Sequence, residues 1–367
     1  MMSLLINASN LYVGGGVQVA VSVLEELTKG GQHFIAAVSP VVAKQLSGET
    51  LSRCKIIRKT PSNVFNVESR RDLDQLVAEN KITKVFTIFG PSYWSPKNVK
   101  HAVGFALPWL IYDVSQVFPK LSFREKVKKI LLLRLQPYFY KKNADLIFVE
   151  TDDAKNKLVE QYHFKDSHVV TVPNTINAIL QNEDLYDNSI LEDLPERNVG
   201  DIYLLTISHD YPHKNLTVIP KLIELLPDNY KFIVTLSSSM ADIPERYSHR
   251  VINVGPVSIN QCPALYHYCD ALFLPTLLEC FSASYVEAMY FKKMIFTSDL
   301  PFAHTVCDDS AIYFDPYDAN DICDKIISGV EGVHDKVIKQ EKADLIFSKL
   351  PTAKERALMY MRSIDKL

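Results

Sequence analysis

Short apolar runs alternate with longer stretches of helical spacing along nearly the whole chain, and this alternation restricts the fold more than any single motif. The runs at residues 3–7, 33–38, 55–58, 84–89, 102–107, 145–149 and 168–172 have the length of buried strands. Between them, Val17, Ala20, Val21, Leu24 and Leu27 share one helical face, and residues 41–46, 67–79 and 152–162 also read as helices. Residues 181–200, QNEDLYDNSILEDLPERNVG, interrupt the pattern with acidic and turn-forming side chains. It restarts with strands at 202–207, 231–236, 251–254, 271–274, 294–297 and 312–314, and helices at 216–226, 260–269, 282–290 and 318–330. Such alternation predicts parallel sheets covered on both faces. The expected fold class is α/β, with two doubly wound Rossmann-like domains at residues 1–175 and 176–351 and a last helix at 352–367. Ligands of such sheets bind at the carboxyl ends of the strands, and with two sheets the expected site is the cleft between the domains.

Charge divides at the same boundary. The 367 residues carry a net charge of −3, yet residues 1–175 hold 23 basic and 15 acidic side chains and the remainder 17 and 28. A basic half suits an anionic partner: nucleic acid, a membrane surface or a phosphorylated substrate. Nucleic acid is disfavoured by the acidic second half and by the absence of interleaved aromatic and basic residues. Much of the excess sits between Lys120 and Lys142, where Arg124, Lys126, Lys128, Lys129, Arg134 and Lys141 face Glu125 alone. Phe123, Val127, Leu131, Leu135 and Tyr138 recur there at helical spacing. This reads as a basic amphipathic helix suited to an anionic membrane surface. The alternative is a domain helix whose apolar face packs the core while its lysines face water. Six cysteines without a CxxC pair read as small buried hydrophobes in a reducing compartment. The N-terminus lacks a basic, then apolar, signal pattern, and no run reaches the ~18 apolar residues that span a bilayer. A cytoplasmic protein is expected, peripheral on the inner membrane face if the basic helix binds lipid.

Three segments carry the chemistry. Gly14, Gly15 and Gly16 follow the first strand and open a helix, which offers free N–H groups to a phosphate. Their spacing is not GxGxxG, and no GxxxxGK[ST] occurs, so a dehydrogenase or P-loop enzyme is disfavoured. The second segment, ISHDYPHKN at 207–215, sets His209, His213 and Lys214 at a strand's carboxyl end, where a lysine can neutralise a phosphate. The third, PTLLECFSASYVEAM at 275–289, places Glu279 before a helix and Glu287 within it. At 1.5 Å rise per residue the two lie roughly 10 Å apart, too far to share a proton and suited to gripping different parts of one extended ligand. The one D-x-D, Asp72 and Asp74, lies in a helix beside Arg70 and Arg71 and reads as a solvated face rather than a metal site.

These segments together resemble the retaining glycosyltransferases of family 4, which have the GT-B fold. Glu279 and Glu287 match the EX7E signature, followed by Ala288 and Met289 as in its common ending. VINVGPVSINQCPALYHYCDALFLPT resembles the run before that signature, PNTIN at 173–177 the interdomain PNGVD, and residues 301–316 the segment after it. The resemblance implies that Glu287 holds the donor ribose and Glu279 binds sugar hydroxyls near the reacting carbon. It further implies that Lys214 contacts the diphosphate, that the amides of Phe281, Ser282 and Ala283 touch sugar and phosphate, and that Gly15 and Gly16 approach the donor from the other domain. Gly255 and Pro256 lie where the family contacts the nucleobase, and the last helix packs back on the first domain. His209 stands where the family has arginine, and Cys280-Phe281-Ser282 where it has Gly-Phe-Gly. The first-domain His-Asp pair becomes Tyr112-Asp113, leaving Asp113 as the catalytic carboxylate there. The implied activity is metal-independent transfer of a sugar, with retention, from a nucleotide-sugar donor to a glycan acceptor. A lipid-linked acceptor in bacterial surface-polysaccharide synthesis is the setting, and no cofactor is expected. The alternatives are a nucleotide-sugar epimerase of the same architecture and a non-catalytic nucleotide- or partner-binding protein.

Overall fold

The computed structural model describes residues 3–63, 65–238, 240 and 243–367, and divides into two compact units. The first comprises residues 3–113, 122–177 and 351–367. Its sheet is formed by β1 (Leu4–Ala8), β2 (Ile35–Val38), β3 (Cys54–Ile56), β4 (Lys84–Thr87), β5 (Lys100–Gly104), β6 (Leu146–Val149) and β7 (Val169–Thr171). All seven are parallel, in the order β3-β2-β1-β4-β5-β6-β7. Strands β1 and β6 are buried throughout because helices cover both faces, which is why they read as nearly unbroken apolar runs. The helix Gly15–Lys29 packs beside the terminal helix Ala353–Asp365, and Ala357, Tyr360, Met361 and Ile364 share its core with Val17, Ala20 and Leu24. Arg356 is buried there and donates to Ser22 Oγ (2.8 Å) and to Asn174 Oδ1. Lys84 Nζ donates to the last carbonyls of the terminal helix, at Ile364 and Asp365, where a cation also suits the helix dipole.

The second unit comprises Val114–Leu121 and Ala178–Leu350. Its strands are β8 (Ile202–Thr206), β9 (Tyr230–Val234), β10 (Val251–Asn253), β11 (Ala271–Leu274), β12 (Met294–Ser298) and β13 (Ile312–Phe314). They are again all parallel, ordered β10-β9-β8-β11-β12-β13. The strand order reverses between β1 and β4 in one sheet and between β8 and β11 in the other. At such a switch point the loops leaving two adjacent strands diverge to opposite faces, opening a crevice at their carboxyl ends. The two doubly wound sheets are those expected from the alternation. A helix at Val333–Lys349 was not expected; it packs on the helix Ala283–Tyr290 and on β12.

The stretch at 120–142 differs from its core-packing reading. The helix runs Phe123–Asn143, opened by a capping box between Ser122 and Glu125, and Lys120 lies in the preceding turn. Phe123, Val127, Leu131, Leu135 and Tyr138 are all exposed, so its recurring apolar positions do not fill the core. Asp72 and Asp74 lie on the helix Val67–Glu79: Asp74 accepts from Trp94 Nε1 (2.8 Å), and Asp72 faces Lys55 at 3.9 Å. All six cysteines are free, five of them buried. Among the described residues no helix is long and apolar enough to cross a membrane, and no group of three or more His, Cys, Asp or Glu could hold a metal ion.

Candidate functional site

The switch point of the second sheet brings the two central sequence segments together. The chain leaves β8 through residues 207–211 into the turn Pro212–Lys214, and leaves β11 through residues 275–282 into the helix Ala283–Tyr290. The His213 carbonyl accepts from the Leu277 amide (2.7 Å) and from Thr276 Oγ1 (3.2 Å), so the two loops are fastened backbone to backbone. Lys214 Nζ then donates to Glu279 Oε1, with both side chains more than four-fifths buried. The sequence assigned these two residues to different parts of a ligand. Here they hold each other, so an anionic ligand must draw the ammonium from the carboxylate or share it.

Beyond Glu279 the backbone supplies donors. Ser282 occupies the cap of the helix Ala283–Tyr290 without a side-chain cap hydrogen bond, and Phe281 and Ala283 flank it. The Tyr285 amide donates to the Ser282 carbonyl (3.2 Å), and the amides before it sit at the positive end of the helix dipole, an arrangement that suits phosphate or sugar oxygens. One turn further on, Glu287 is buried and accepts from the Tyr266 hydroxyl at Oε2 (2.9 Å). Burial pushes its carboxyl up to about 7, against the smaller downward pull of the Tyr266 hydrogen bond. Tyr266 is fixed by stacking on Phe291, ring centroids 5.0 Å apart. A carboxylate held this way costs desolvation until donors such as a diol reach it.

The remaining second-unit residues are more open. His209 is exposed, 5.7 Å from the Tyr211 ring, which stacks on His213 at 5.5 Å. Gly255 adopts φ +76, in the left-handed region that favours glycine, and a β-carbon built there meets nothing within 4 Å. Its amide donates to Asn253 Oδ1 (3.1 Å), and Pro256 follows exposed. Sequence reasoning missed Asn215. Its backbone is left-handed (φ +56), its Nδ2 donates to the Pro316 carbonyl (3.0 Å), and its Oδ1 accepts from Lys120 Nζ (2.6 Å). Asparagine tolerates that conformation better than most residues, which is the one local signal it gives. The contact with Lys120, 95 positions away, leaves no trace in sequence spacing.

In the first unit, Gly15 and Gly16 begin the helix Gly15–Lys29 directly after the switch-point strand β1. Gly14, at φ +71, caps it without a side chain, and a β-carbon at Gly15 meets nothing within 4 Å, whereas Gly16 packs on Leu11 and Phe89. This second uncapped helix start has the same donor character. At the carboxyl ends of β1 and β4 lies a small recess lined by Asn7, Asn10, Pro61, Thr87, Tyr93 and Trp94, its surface more apolar than polar, with the buried Asn10 Oδ1 unpartnered. Asp113 is exposed, and the neighbouring Tyr112 hydroxyl donates to Asp153 Oδ2 (2.6 Å).

Residues 192–341 match the family described as Glycosyl transferases group 1. Over 215 residues the chain is 23% identical to the O-antigen chain mannosyltransferase RfbU of Salmonella typhimurium, which is 57% of this chain and 56% of that protein. The match therefore spans little more than half the length of that curated relative. Among solved structures, a glycosyltransferase from Rickettsia africae superposes with a TM-score of 0.74 at 15% identity, covering 100% of this chain and 98% of the other. Anabaena Alr3699/HepE in complex with UDP-glucose superposes at 0.72 and 13% identity, covering 100% of each. The fold is that of the GT-B glycosyltransferases, two Rossmann-like parallel-sheet domains in one chain.

Proposed function

We propose that this protein is a glycosyltransferase that moves a sugar from a nucleoside-diphosphate donor to a glycan acceptor, with retention, in the manner of family 4. The observation that carries the reading is the Lys214–Glu279 pair at the β8/β11 switch point, beside an uncapped helix start and one turn from the buried Glu287. Match to Glycosyl transferases group 1 covers this whole constellation. In the reaction the bond from the sugar's anomeric carbon to the diphosphate breaks, and a bond from that carbon to an acceptor oxygen forms. The acceptor's proton passes to a departing phosphate oxygen. Positive charge grows on the sugar and negative charge on the leaving diphosphate. Lys214 and the first-turn amides of the helix Ala283–Tyr290 stabilise the leaving group, without a metal or other cofactor. Glu279, released from Lys214, accepts from sugar hydroxyls, and Glu287 accepts from the ribose. His209 adds a donor near the phosphates, and Gly255 and Pro256 border the base. Asp113 is assigned to the acceptor side. The relative named for O-antigen chains supports a glycan acceptor, and on this reading the acceptor is a surface glycan carried on a lipid at the cytoplasmic face of the membrane.

The test is turnover of UDP-, GDP-, dTDP- and ADP-sugars with and without glycan acceptors. Release of nucleoside diphosphate that depends on acceptor, with a new α-linkage from an α-donor, is expected. Interconversion of the donor's sugar without acceptor contradicts transfer and supports the epimerase.

A further inference from the structure

The helix Phe123–Asn143 carries an unusual solvent face. At about 100° per residue, the exposed positions other than Glu125 fall within an arc of roughly 160°. That arc contains Phe123, Val127, Ile130, Leu131, Leu135 and Tyr138, six of the nineteen large apolar side chains exposed among the described residues. Interleaved on the same arc are Arg124, Lys128, Arg134, Lys141 and Lys142, and no carboxylate. Glu125 is exposed but lies behind the arc, folded back onto the Ser122 amide and hydroxyl. The opposite side is anchored: Tyr140 donates to the Gly104 carbonyl (3.0 Å), Asn143 to the Ser92 carbonyl (2.8 Å), and Phe139 meets Tyr93 edge-on at 4.8 Å. The outward face is therefore fixed, with apolar and cationic groups mixed where an ordinary surface helix is polar.

We infer that this face docks onto an anionic lipid surface, the helix lying in the interface with its apolar side chains among acyl chains and its cations among headgroup phosphates. Long lysine and arginine stems let the charges reach the phosphates while the apolar groups sink below them. A second copy of the chain is a poor occupant, because a two-fold contact sets five cations against five. Nucleic acid leaves the apolar groups without a partner, since its backbone presents only phosphates and sugars. A bilayer with acidic headgroups satisfies both halves of the pattern. The inference stands apart from the donor site, and the experiment reads the two separately.

The full chain is floated with vesicles of phosphatidylcholine alone and with about 30 mol% phosphatidylglycerol, where each surface cation contributes measurably to binding. Binding to the anionic vesicles, falling tenfold or more on neutral ones and weakening with salt, is expected. The triple variant Arg134→Gln, Lys141→Gln, Lys142→Gln is expected to lower the partition coefficient about a hundredfold. Val127→Ser with Leu131→Ser and Leu135→Ser is expected to lower it about tenfold or more. All six substituted positions are exposed, so circular dichroism and nucleotide-induced thermal shifts are expected to match the parent in both variants. No binding, equal binding to neutral vesicles, unchanged binding in either variant, or a dimer that the apolar substitutions dissolve overturns the inference.

Discussion

At the residue scale, two charged groups of the candidate site are held by protein partners, and on the proposed function a ligand must replace those contacts. Lys214 and Glu279 form the clearest case, and the exchange they imply has a measurable consequence. Charge-assisted hydrogen bonds contribute ~1.5–3 kcal/mol, so Lys214→Met is expected to weaken nucleoside-diphosphate binding about ten- to a hundredfold. Titration calorimetry checks this, and nucleoside binding without phosphates is expected to change little. Glu287 makes a pH prediction. Its folded pKa of about 7 lies above the ordinary carboxyl value of 4.5. Its protonated form is thus favoured by folding, and this stability is full below pH 4.5 and is lost as pH rises through 7. The shift corresponds to about 3 kcal/mol. Chemical denaturation from pH 5 to 8 is expected to show a steeper loss in the parent than in Glu287→Gln, with parallel profiles as the contrary result. Donor binding runs the other way, strengthening over the same interval as the carboxylate forms to accept hydroxyl donors.

At the element scale, the carboxyl ends of β8 and β11 were legible in sequence because short buried runs in a parallel sheet are nearly continuous apolar segments. The helix start at Ala283 was legible too, since EX7E brackets it. The Lys214–Glu279 contact was not, because two residues each assigned to a ligand give no sign of bonding to each other. The helix Val333–Lys349 was missed because most of it is charged or polar and only its contact side touches the helix Ala283–Tyr290. The helix Phe123–Asn143 was legible as a helix, while the exposure of its apolar positions required knowing which face the sheet takes. The terminal helix gives the sharpest stability test. Tyr360 packs on Phe86 and Phe148, each ring centroid 4.9 Å away. Tyr360→Ala, leaving a core cavity, is expected to destabilise the first unit by about 3–5 kcal/mol, read as a lower denaturation midpoint.

At the scale of the whole molecule, two sheets of like topology carry opposite charge, a net of +8 over residues 1–175 and −11 over the rest. Much of the first half's excess sits on one exposed helix face, at Arg124, Lys128, Arg134, Lys141 and Lys142. Each unit has its own core, and calorimetry is expected to resolve two unfolding transitions. Because Tyr360 belongs to the first unit, Tyr360→Ala is expected to lower one transition and leave the other. A nucleoside diphosphate, bound by second-unit residues, is expected to raise the other one by mass action. The most direct test of the central claim is a thermal-shift series with UDP, GDP, dTDP, CDP and ADP on the parent, Lys214→Met and Glu287→Ala. One diphosphate that raises the melting temperature of the parent and loses that effect in both variants is the predicted result. No shift with any of the five, or a shift that both variants retain, contradicts a donor site at the β8/β11 switch point.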